Sequence, residues 1–150
     1  MKAIVALLSF LFASGAQAQS LKEKYELSER CGKQAAETFA KEWGAEVRYG
    51  VSETNTSRTR TSFESHYNSR LNKCFYLEFR ITTEKQDLLR TSEQLKLIDL
   101  LENRDIGVLQ QQIATTGGPM EEKVELCLVQ GKDCKTEEEW RALIKPFMED

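Results

Sequence analysis

His66 is the only histidine in the 150 residues, so any Ser-His-Asp triad or imidazole acid/base would have to be built on it. It sits in the stretch TSFESHYNSRLNKCFYLEFRIT, residues 61–82. On a strand, Glu64, Asn68, Arg70 and Asn72 fall on its side of the backbone. A Glu/His/Arg cluster of that kind binds a carboxylate or a phosphate, with Arg70 as a forked donor. Arg58, Arg60, Arg70 and Lys73, set against Glu64, make residues 58–73 basic by +3 within an acidic chain. Such asymmetry steers an anionic partner. The candidate binding residues are therefore Glu64, His66, Asn68, Arg70 and Lys73. The same alternation is also what a solvated hairpin face looks like, and Asn68 and Asn72 are natural turn formers. Gathering of the four cations on one surface favours binding, and scatter disfavours it.

An enzyme built here would use His66 with Glu64 or Tyr67 as acid/base partner and Arg70 as anion clamp, inside a cleft. Other catalytic equipment is missing. Glu137, Glu138 and Glu139 are accounted for by a helix N-terminus, and Glu121-Glu122 flank a loop. Asn103-Arg104-Asp105 has too few oxygens for a cation and carries a competing Arg. There is no G-x-S-x-G, no Gly-rich phosphate loop and no H-E-x-x-H. No cofactor and no metal is implied, and no catalytic residue is assigned.

The candidate residues are positioned by a hairpin. Phe75, Leu77, Phe79 and Ile81 alternate with Tyr76, Glu78, Arg80 and Thr82, a period of two that predicts a strand with one core face. Phe63, Tyr67 and Leu71 are the apolar members of the preceding run, and residues 68–72 make the return. Before it, Ser20 caps a helix predicted over Leu21–Trp43. Its stripe is Leu21, Tyr25, Ser28, Cys31, Ala35, Phe39 and Trp43, and Gly44 stops it. Residues 45–51 read as a short strand through Val47, Tyr49 and Val51, and residues 52–62 as a loop or an exposed strand. The sequon Asn55-Thr56-Ser57 is too short a pattern to carry weight.

After residue 84, helix and strand periods compete as far as residue 102. The turn residues Asn103-Arg104-Asp105, set between the apolar runs 95–101 and 106–109, decide for a second hairpin. Residues 115–119 break the chain. A last strand follows, with Val124, Leu126 and Leu128 alternating against Glu125 and Cys127. Thr136 with Glu139 forms a capping box for a C-terminal helix whose stripe is Trp140, Leu143, Ile144 and Phe147, with Pro146 expected to bend or loosen its end. The order predicts an α+β domain, an antiparallel meander sheet covered by two amphipathic helices. Cys74 lies opposite Phe75 on the pleat. Either Cys74 precedes the regular strand, or the first helix covers the Tyr76 face, a less economical arrangement with one helix on each side.

Residues 1–18 have the form of a secretory signal. Lys2 supplies the positive region, residues 3–12 the apolar run, and Ala16-Gln17-Ala18 the cleavage pattern. The apolar run is shorter than the roughly 20 residues of a membrane span. Residues 19–150 then form one domain of ordinary size. Loss of Lys2 takes the net charge of −3 to −4, which disfavours nucleic acid and anionic membranes as partners. Cys31, Cys74, Cys127 and Cys134 all remain, and an even number in an exported chain argues for disulfides. The short spacing around Gly131 favours Cys127 with Cys134, leaving Cys31 with Cys74.

His66-Tyr67-Asn68, then Leu71-Asn72-Lys73-Cys74-Phe75, with a helical Cys31 ahead and Trp140 and Phe147-Met148 behind, resembles small uncharacterised exported proteins of bacteria. The resemblance implies a periplasmic or secreted envelope protein. The expected role is a non-catalytic binding or interaction module whose partner is an envelope protein or an anionic polymer. The alternative is a small periplasmic enzyme using His66.

Overall fold

A computed structural model describes residues 20–44, 50–84, 90–114 and 121–150. Residues 1–18, read above as a secretory signal, together with Val47 and Tyr49, Leu88 and the 115–119 break lie outside the described residues. Helix α1 (Leu21–Trp43) starts on Ser20, whose Oγ accepts the Glu23 N–H at 3.2 Å. It ends at Gly44, whose positive φ of 99° suits glycine. The strands are β1 (Gly50–Glu53), β2 (Ser57–Asn68), β3 (Lys73–Glu84), β4 (Arg90–Asp99), β5 (Arg104–Ala114), β6 (Glu121–Val129) and the two-residue β7 (Lys132–Asp133). They form one antiparallel sheet in the order β1 to β7. Helix α2 (Glu137–Met148) follows, capped by Thr136 Oγ1, which accepts the Glu139 N–H, while Glu139 Oε2 reaches past the cap to accept the Lys135 N–H, a variant of the expected capping box.

Both faces of the sheet are core. On one, Phe75, Leu77, Leu95, Leu97, Leu109, Cys127 and Val129 pack under Trp140 and Ile144 of α2. On the other, Tyr76 packs with Ala35 and Phe39 of α1, and Cys74 and Tyr67 with Cys31. Cys74 is inside β3, paired across the ladder with Tyr67, so it does not precede the regular strand. One helix per face is the arrangement adopted, with α1 lying over β2 and β3. The disulfides are Cys31–Cys74, Cα atoms 5.4 Å apart, and Cys127–Cys134, 5.0 Å apart. Both pairs point to an oxidising compartment outside the cytoplasm.

Several sequence expectations shift. Residues 52–62 are neither all loop nor one strand: β1 ends at Glu53, and β2 starts at Ser57. Residues 90–99 are strand, which removes the helical reading there. Ile81 is 42 % exposed and outside the core. Leu21 and Tyr25 are 88 % and 70 % exposed, because α1 reaches the sheet only from Leu27 onward. In β6 the expected alternation fails at a bulge, where Gln110 pairs Leu126 but Gln111 pairs Val124. The extra residue turns Val124, Cys127 and Val129 to the α2 core and leaves Leu126 45 % exposed. Helix α2 continues through Pro146 to Met148.

Candidate functional site

The residues singled out around His66 are drawn into the fold itself. Asn68 is fully buried, and its Nδ2 donates to the carbonyls of Pro146 at 3.0 Å, Phe147 at 3.3 Å and Glu149 at 2.9 Å. These are carbonyls that the end of a helix leaves without intrahelical donors. Asn68 Oδ1 accepts the Leu71 N–H at 3.0 Å, closing the β2–β3 turn. Arg70 lies in that turn, not on the strand face, and Nη2 donates to the Glu149 carbonyl at 3.0 Å. The Ser69 N–H reaches Asp150 Oδ1 at 2.9 Å. Lys24 of α1 pairs with Asp150 Oδ2. The Lys24 ammonium first, and then the Ser69 N–H, hold the Asp150 carboxyl well below the usual range.

His66 Nε2 stands 3.6 Å from Asp150 Oδ1. Asp150 thus lies between Ser69 and His66, whereas a triad needs the imidazole in the middle. Tyr67 faces the opposite side and donates to Asn72 Oδ1 at 2.7 Å. Glu64 is exposed and lines a cleft of about 350 Å³ beside α2, with Leu77, Arg141, Lys145 and Met148. Lys73 donates to Asp99 Oδ2 and Glu102 Oε1, each at 2.6 Å. Burial alone would push the Asp99 carboxyl up, but Lys73 and the backbone N–H groups of Glu102 and Leu101 hold it below its ordinary value. The four cations scatter. Arg60 and Arg58 lie at the far end of β2, about 27 and about 33 Å along the strand from its end at Asn68.

A second group assembles on the α1 side, where β4 and β5 extend beyond the helix. The ladder puts Glu78 beside Lys96 and Arg80 beside Gln94, and continues to Val108 and Gln110. Glu78 is 4 % exposed. It accepts from Arg80 Nη2 at 2.7 Å and from Tyr76 Oη at 3.3 Å. Burial, followed by the Glu78 and Glu42 carboxylates, pushes the Tyr76 hydroxyl well above its usual value. Arg80 stacks 5.1 Å from the centre of the Trp43 ring, while Arg80 Nε and Trp43 Nε1 are buried without hydrogen-bond partners. Lys96 pairs with Asp105 at 2.9 Å.

These side chains surround a hollow of about 350 Å³ whose wall includes Glu42, Glu78, Arg80, Gln94 and Lys96. A neighbouring hollow of about 200 Å³ shares Arg80 and Gln94 and adds Thr82, Ser92 and Gln110. Sequence reading put Glu78, Arg80 and Thr82 on the outer face of their strand but did not join them to Gln94, Lys96 and Gln110. The signal was the matching polar alternation of three successive strands, which a meander superimposes on one face.

Among the described residues no three His, Cys, Asp or Glu side chains gather as a metal site would need. None of the described helices is long and apolar enough to cross a membrane. No family model matches the chain, and neither a curated protein nor a solved structure shows significant similarity to it.

Proposed function

We propose that this is an exported protein of the bacterial envelope, periplasmic or secreted, acting as a non-catalytic binding module through the polar cleft beside α1. The two disulfides support export. So does the form of residues 1–18, together with the likeness of the 66–75 segment to small exported bacterial proteins. The observation that carries the binding site is the Glu78–Arg80 pair. Glu78 is a buried carboxylate, which is costly to keep unless paired, and its partner Arg80, with a side chain 36 % exposed, reaches from it to the surface. Both residues of the pair line the hollow. The residues around His66, by contrast, are engaged in holding the end of α2.

The test is site-specific photo-crosslinking in native envelope material. Benzoylphenylalanine replaces Gln94 in the cleft or exposed Arg58 at the far end of β2. A product formed from position 94, absent from position 58 and lost when Arg80→Leu is added, is the expected result. Equal products from both positions, or none from position 94, overturn the assignment.

A further inference from the structure

We propose that the ligand of the α1-side cleft is a neutral oligosaccharide, an inference that rests on the cleft being the binding site. The first argument is charge. Each cation of the wall already has a carboxylate, Arg80 with Glu78 at 2.7 Å and Lys96 with Asp105 at 2.9 Å, and Glu42 adds a further acid. An anionic ligand finds no free cation there and has to displace a carboxylate. Sugar hydroxyls both donate and accept, so they add to paired charges without separating them.

The second argument is the donor and acceptor set. Gln94 presents two donors and an acceptor and Ser92 a hydroxyl, Gln110 adds its amide beside a bond to Glu125 Oε2 at 3.3 Å, the Thr82 hydroxyl shares a bond with Thr59 Oγ1 at 2.9 Å, and Arg80 is common to both hollows. Few hydrophobic side chains line them: Ile98 and Val108 are the hydrophobic members of the wall, too few to anchor a peptide side chain. The third argument is length. From the Glu78–Lys96 row to the Thr82–Ser92 row is four residues, about 13 Å along the strands. That is a trough for a short chain of sugar rings rather than a pocket for one.

The experiment titrates the 15N-labelled protein, residues 19–150 with both disulfides formed, with neutral tetrasaccharides of β-linked glucose, N-acetylglucosamine and mannose, and with tetragalacturonate as the acidic arm. A neutral glycan is expected to shift the amides of Glu78, Arg80, Gln94, Lys96 and Gln110 while leaving residues 68–73 unmoved. Gln94→Ala with Gln110→Ala should weaken it about tenfold with the spectrum otherwise intact. If that double variant fails to fold, Ser92→Ala serves, with a smaller loss. No shift from any neutral glycan, shifts elsewhere, or equal or tighter binding of tetragalacturonate overturns the proposal. Cross-linking from position 94 without a glycan response means the ligand class is wrong and the site stands. Failure of both removes the site as well.

Discussion

Lys24, in the first turns of a helix on one face of the sheet, is ion-paired with Asp150, just past the end of the helix on the other face. Between them lies the β2–β3 turn, whose Ser69, Arg70 and Asn68 bind the same C-terminal segment. The two layers that pack on opposite sides are thus clasped together at one edge.

Asn68 is the centre of that clasp, and Asn68→Ala is expected to destabilise the protein by about 2–3 kcal/mol, because it strands buried carbonyls of the last α2 turn. Asn68→Asp should do at least as much harm, since it turns a donor into an anion facing carbonyl oxygens. Urea unfolding of the three proteins checks the order.

Removing Cys31 and Cys74 together, as alanines, should cost more than removing Cys127 and Cys134. The closed loops span 43 and 7 residues, which in the chain-entropy picture correspond to about 4 and about 2 kcal/mol. The Cys31–Cys74 variant should also loosen α1, read as faster amide exchange in Leu21–Trp43.

Asp99 links stability to acid. Its folded value is depressed, so between that value and the unfolded value of about 4 the unfolded chain takes up the proton first. The contribution is complete at neutral pH and is lost as the pH falls below about 4. Asp99→Asn should be less stable than the parent at pH 7, by about 1–3 kcal/mol, and the two stability curves should converge in acid.

Gly107→Ala should destabilise by about 1–3 kcal/mol. A methyl group there would sit 3.1 Å from Val129 Cγ2, 3.2 Å from the Leu128 carbonyl and 3.4 Å from Trp140 Nε1. The backbone carbonyl cannot swing away as a flexible side chain does. Thermal unfolding followed by circular dichroism reads the shift.

Export predicts a mature N-terminus at Gln19, from the Ala16-Gln17-Ala18 pattern. Intact-mass measurement on envelope material should show it, and retention of residues 1–18 there would remove the compartment argument.

The elements were largely legible in sequence because each carries a local signal: the cap at Ser20, the capping box at Thr136, and the period of two from Cys74 to Ile81. Which face an element buries was less legible. Alternation in β3 showed two sets of residues, but only the disulfide to Cys31 and the packing of Tyr76 on Ala35 and Phe39 reveal that both sets are covered. In β6 one inserted residue reversed the faces of Leu126 and Cys127, and periodicity cannot signal a bulge in advance. The residues near His66 looked like a site because polar groups clustered in sequence. Their partners at Phe147, Glu149 and Asp150 are about 80 positions away, beyond any local pattern.

The neighbour-to-neighbour strand order has a kinetic consequence. Every ladder joins segments adjacent in the chain, so sheet assembly requires the closure of short loops only, and local contacts of this kind go with rapid folding. The contact of Lys24 with Asp150 spans 126 residues and carries the largest closure entropy. The meander is therefore expected to collapse early, with the clasp between the two helices closing last.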